Sequence, residues 1–160
     1  MRAVWRAGRW LSNPESRTTA GEILSRAQYL DVPSELIDRA LSGHLTVSGR
    51  GEQRQVEGFL EFHRGAATFP WRSQAKWIAG QMARSHGLDL AAMPGDLAAA
   101  FRSDLYRRHL SGTSNDLPGA SEKVEGAIRH ETPVASAQGR LSLRPDRFFD
   151  GRIFDPNEAG

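Results

Sequence analysis

The chain has 160 residues, 39% of them hydrophobic and 25% charged, with a net charge of +2 and no cysteine. That is one domain's worth of globular chain, able to bury roughly 70% of its unfolded surface. Disulfides, thiolate metal sites and a cysteine nucleophile are excluded. The positive charge is nearly all arginine, interleaved with acids and not gathered into a stripe, which argues against a nucleic-acid partner.

The first segment, "MRAVWRAGRWLS", spaces Val4, Trp5, Ala7, Gly8 and Leu11 as a helix does. With "NPESR" it carries charge but no continuous apolar stretch and no small-residue cleavage site, so it does not read as a signal peptide. The compartment stays open: the chain is cytoplasmic as written, or it is a piece cut from something longer. No apolar run approaches the roughly 18 residues that span a bilayer, so no membrane insertion is expected.

A second helix restarts at Asn13, with Asn13 as N-cap, Pro14 at N1 and Glu15 favouring the dipole; Ile23, Leu24 and Ala27 form its apolar side. A third is led in by Pro33 and stopped by Gly43, with Leu36, Ile37, Ala40 and Leu41 as its buried stripe. His44–Ser48 alternates briefly and reads as an extended segment followed by a loop. The clearest helix runs from Trp71 to His86 and ends at Gly87. Trp71, Ala75, Ile78, Met82 and Trp77 give it an apolar arc wide enough for burial on more than one side. Pro94 to His109 reads as one or two helices, with Leu97, Ala98, Phe101, Leu105 and Tyr106 inward.

Beyond Leu110 the periodicity dissolves into turn chemistry. "RFFDGRIFDP" then reads as a compact turn at Asp150-Gly151, flanked by Phe148, Phe149, Ile153 and Phe154. The expected organisation is a helical region over 1–110, with a mostly irregular segment over 111–160 packing back on it. The chain is mainly α, with too little strand for a closed sheet.

Few residues carry chemistry. His44, His63, His86, His109 and His130 have no partner at metal-ligand spacing, and no nucleophile elbow, phosphate loop or dinucleotide fingerprint occurs. Asp150 and Asp155 bracket a turn, which accounts for them without acid–base catalysis. No catalytic residue, metal or cofactor is expected, and the chain does not read as an enzyme. The ligand-binding residues are not legible. The candidates are Trp71 as a wall and Arg72 as an anion hook, because an arginine at a helix N-terminus adds its fork to free backbone N–H groups. The alternative, which the residues favour, has Arg72 tying down a neighbouring loop while Trp71 and Trp77 pack in the core.

Several motifs are similar to one family. "FPWRSQAKWIAGQMAR" resembles a segment of the nitrate- and bicarbonate-binding substrate-binding proteins of ABC transporters and of the related cytoplasmic nitrate sensors. "AGRWLSNPESR", "AQYLDVPSELIDRALSGHL", "AFRSDLYRRHL", "KVEG" and "RFFDGRIFDP" resemble further motifs of that family, in order, over about 150 positions. The resemblance implies a two-lobed α/β periplasmic-binding fold of the second type, clamping a small oxyanion (nitrate, nitrite or bicarbonate). This chain would be its C-terminal helical portion, with the strands and anion ligands of both lobes upstream. It implies transport or nitrate sensing, with a transporter permease or a regulatory protein as partner, and a periplasmic location if the chain is a fragment of a transporter-associated parent. Two other outcomes stand beside it: a standalone helical protein-interaction module, and a truncated product without ligand-binding activity. A homodimer is expected, because a helical region that evolved against two lobes carries an apolar face for them; the candidates for that face are Val4, Trp5 and Leu11 on the first helix and Phe148, Phe149 and Phe154 at the closing turn.

Overall fold

The computed structural model describes residues 1–92 and 95–158. Two compact units divide it, Arg2–Ala67 and Thr68–Gly160, the latter with Met1. The boundary therefore falls within the helical region read over 1–110. Helices are the main regular structure, and the named strands form two short antiparallel pairs among the described residues.

In the first unit, α1 (Arg2–Leu11) buries Trp5 and Gly8. Gly8 has a steric reason: a Cβ there would collide with the Phe62 carbonyl oxygen, so only glycine lets the helix lie so close to that strand of chain. Beside it the Trp5 and His63 rings meet edge-on at 5.3 Å. Val4, expected on the apolar side, is exposed, because the buried stripe is the one centred on Trp5 and Gly8. Asn13 caps a 3-10 turn, Pro14–Ser16, its side chain accepting from the Glu15 N–H at 3.1 Å. That turn feeds α2 (Arg17–Leu24).

Helix α2 stops at Leu24, so Ala27 falls in the turns that follow and is exposed. The face it buries is Ala20 and Gly21, small residues that let α3 (Ser34–Ser42) pack closely against it. Helix α3 buries Ile37 and ends at Gly43, left-handed at φ 76°. Leu36, one position from the buried stripe, points outward. The extended segment is β1 (His44–Thr46), paired antiparallel with β2 (Gln53–Gln55) in the register His44 to Gln55. The partner strand is exposed along its length and has no apolar alternation, which is why it read as loop.

The second unit is built on α4 (Arg72–His86), with Trp71 as N-cap and Gly87 left-handed at its end. The buried face is Ser73, Ala75, Gly80 and Ala83. Ile78 and Met82, expected inside, are exposed, and Trp77 is only half-buried. The small side chains mark the close contacts, while the large apolar ones sit on the other side. Helix α5 (Ser103–Leu110) buries Tyr106 and Leu110, and the 97–100 stretch is a turn that buries Ala98. The expected start at Pro94 lies outside the described residues. Leu97, Phe101 and Leu105 are half-buried.

After α5 the chain is mostly irregular, apart from β3 (Thr132–Pro133) paired with β4 (Ser142–Leu143). It is nonetheless well packed, with Leu117, Leu141 and Leu143 buried. Polar bonds replace a ladder here. The Asp116 carboxylate accepts from Ser136 Oγ and from the N–H groups of Gln138 and Arg140, at 2.7–2.8 Å. The turn at Asp150-Gly151 forms as read, closed by the Gly151 N–H on the Phe148 carbonyl at 3.0 Å. Phe149 and Ile153 on its rim are exposed.

Candidate functional site

The start of α4 is where the candidate residues lie. Trp71 is buried, its ring edge-on to Phe69 at 4.8 Å, and Phe69 in turn meets Tyr106 edge-on at 5.4 Å. The Arg107 guanidinium lies 5.0 Å from the Phe69 ring centroid. Its donors hold one short stretch of chain, bonding the carbonyls of Pro118, Gly119 and Ala120 and the Ser121 hydroxyl. Partial burial of this cation lowers its pKa, but a guanidinium stays charged.

The Arg72 backbone N–H, a donor at the α4 N-terminus, bonds the Ser121 carbonyl at 2.9 Å. Its guanidinium bonds Asp96 and lies 3.8 Å from Glu122, which also accepts Lys76 at 2.9 Å. The Arg72 hydrogen bond holds the Asp96 carboxyl below its usual range, helped by the Ala98 N–H. Two cations thus face two carboxylates, so the charge an anion would seek is already matched.

Behind this layer lies a feature that helix periodicity does not show. Glu125 is only 5% exposed, yet it is ionisable. Such a carboxylate must be both bonded and paired. Ser73, itself fully buried on α4, donates its hydroxyl to Glu125 Oε1 at 2.6 Å, and Lys123 Nζ reaches Oε2 at 2.5 Å. The Lys123 ammonium also bonds Asp146, whose other oxygen accepts from the Ile128 N–H at 2.9 Å. Lys123 returns its backbone N–H to Ser73 Oγ at 3.2 Å. Backbone pairing of Glu125 with Phe154, both bonds 2.9 Å, ties in the C-terminal turn.

Next to Glu125, Gly126 has φ 82°, and a Cβ there would sit 2.7 Å from the Arg152 carbonyl oxygen and 2.8 Å from the Phe148 ring. Only glycine suits both demands. The "KVEG" tetrapeptide is therefore one device: an ammonium, a buried carboxylate and a glycine at a close crossing. It joins α4, the 121–126 segment, Asp146 and the terminal turn. Its groups bond one another, which makes it a clamp between these segments. Among the described residues no group of three or more histidine or acidic side chains could hold a metal ion.

The fold these elements make matches part of a larger solved structure. The chain superposes on the crystal structure of the periplasmic nitrate-binding protein NrtA from Synechocystis PCC 6803 with a TM-score of 0.70. That match covers 98% of this chain and 37% of the other, at 20% identity. By sequence it is 23% identical over 155 residues to the bicarbonate-binding protein CmpA of Synechococcus elongatus PCC 7942, and equally to that of Synechococcus sp. PCC 6301. No family model matches the chain. It spans about a third of the length of these relatives: 94% of this chain aligns with 32% of each bicarbonate-binding protein. The resemblance to the nitrate- and bicarbonate-binding substrate-binding proteins of ABC transporters is thus found both in sequence and in structure.

Proposed function

We propose that the chain is part of a substrate-binding protein for a small oxyanion, nitrate, nitrite or bicarbonate, and that it serves as scaffold for the anion site. The remaining two thirds of the architecture then supply the anion ligands, in a two-lobed α/β fold of the second periplasmic-binding type. The observation carrying this reading is the 0.70 superposition over 98% of the chain on a nitrate-binding protein. The match of Arg72 and Lys76 by Asp96 and Glu122 supports the scaffold role, since no cation cluster there is left to hold an anion. The reading involves no catalysis. Its partner is a transporter permease or a regulatory protein. Calorimetry with nitrate and bicarbonate tests it: the 160-residue chain alone binds neither, and the chain joined to the two missing lobes of a relative binds one of them. A micromolar dissociation constant for the chain alone overturns the scaffold role.

The exposed apolar residues favour a second reading, a helical interaction module that covers itself as a homodimer. Of the residues expected on an associating face, Trp5 is buried, whereas Val4 and Phe149 are exposed; Trp10 on α1, and Ile78 and Met82 on α4, are also each at least 40% exposed. Surface of this kind drives association. Light scattering at micromolar concentration separates the two: a 35 kDa species (about twice the 17.7 kDa chain) supports the dimer, and a monodisperse monomer removes it.

A further inference from the structure

The second unit contains a pocket of about 280 Å³ lined by Gln74, Trp77, Ile78, Glu125, Asp146 and Phe148. Its volume lies just under the roughly 300–1,000 Å³ of drug-sized sites, so it suits a fragment-sized group. Trp77 and Phe148 stack on each other at 5.0 Å and 17°, forming with Ile78 a wall of hydrocarbon. The polar part of the lining is two carboxylates and one amide. Both carboxylates share the Lys123 ammonium, so two negative charges stand against one positive one in surroundings largely withdrawn from water. Each bonded carboxylate oxygen keeps a second lone pair for another donor. A site with one excess negative charge beside an aromatic and aliphatic wall recognises a cation that carries apolar surface.

We propose that this pocket is a subsite for an organic cation, a guanidinium or primary ammonium head on a short alkyl stem. The head lies against Glu125 and Asp146, and the stem against Trp77, Phe148 and Ile78. The same chemistry comes from a free alkylamine or alkylguanidine and from an arginine side chain on a peptide.

The test follows the Trp77 indole and Gln74 side-chain amide signals of the whole chain by NMR, titrated with propylguanidinium, with neutral propylurea of the same shape, and with a blocked arginine peptide. Propylguanidinium moves both signals saturably at millimolar concentration, and propylurea does not. Binding of the peptide with equal affinity assigns the site to side-chain capture; binding of propylguanidinium alone assigns it to a free small molecule. Asp146→Asn weakens the cation about tenfold, as loss of a charge-assisted bond does. Equal shifts from propylurea, or no saturable shift from propylguanidinium in the wild-type chain, overturn the proposal whether or not the variant folds.

Discussion

Removing the Glu125 carboxylate is the sharpest perturbation of the second unit. In Glu125→Ala the Ser73 hydroxyl, fully buried, loses its acceptor, a cost of about 1–3 kcal/mol for an unsatisfied buried donor. Lys123, whose side chain is 15% exposed, keeps Asp146 but loses its other carboxylate, a charged hydrogen bond of about 1.5–3 kcal/mol. The expected total is about 4 kcal/mol, within the roughly 3–5 kcal/mol found when one partner of a buried pair is removed. Glu125→Gln preserves the shape and the acceptor for Ser73, so it costs about half as much. Urea unfolding followed by far-UV circular dichroism reads both. At a slope of about 2 kcal/mol per molar urea, the alanine variant's midpoint falls by about 2 M and the glutamine variant's by about 1 M. Ser73→Ala combined with Glu125→Ala then costs about 1 kcal/mol less than the sum of the two singles, because they share one bond. An alanine variant within about 0.2 M of wild type, on the same slope, refutes the clamp.

Trp71, the N-cap of α4, and Trp77, in its second turn, separate by burial. Trp71→Ala costs about 3–5 kcal/mol, as for a core aromatic, whereas Trp77→Ala, half-buried and stacked on Phe148, costs about 2 kcal/mol; equal urea midpoints would remove the distinction. Gly8→Ala lowers stability by about 1–3 kcal/mol through overpacking against the Phe62 carbonyl, and thermal melts of that variant matching wild type would mean α1 does not lie there. Burial, and then the charge of Arg9, lower the His63 pKa below its usual 6.5. The unfolded chain therefore takes up that proton first as pH falls. The stabilisation is complete above pH 6.5 and is lost as pH drops from there toward the folded value. His63→Gln flattens the midpoint-against-pH curve in that window, and an unchanged slope in the variant rules the effect out.

Where the chain is helical, its ends were legible and its buried faces less so. Asn13, Pro14, Gly43 and Gly87 act through local backbone chemistry, and all four do in the structure what their types demand. The faces depend on what lies opposite, which periodicity cannot see. On α4, hydrophobicity pointed to Ile78 and Met82, but close approach selected Ser73, Ala75, Gly80 and Ala83, because a segment with a buried ion pair needs room and a hydroxyl. Polar residues whose partners are distant in sequence carry no local signal. Ser73 and Glu125 are 52 positions apart, and Lys123 and Asp146 are 23 apart. Only the "KVEG" motif marked the place, through its resemblance and not through its pattern.

The same limit explains the candidate site. An arginine at a helix start is a fair anion hook when its surroundings are unknown. Once Asp96 and Glu122 are placed beside Arg72, the local charge is balanced and an incoming anion would have to displace a carboxylate. That exchange offers no gain to a small oxyanion, since a tethered carboxylate presents the same oxygen acceptors at a high effective concentration. Replacing Asp96 by asparagine would free one bond of the guanidinium. If Arg72 were a hidden ligand residue, Asp96→Asn would raise nitrate affinity in the chain by about tenfold, the usual worth of one charged hydrogen bond. The scaffold role predicts no nitrate binding before or after the change, only a small loss of stability, and calorimetry on the two proteins side by side decides between them.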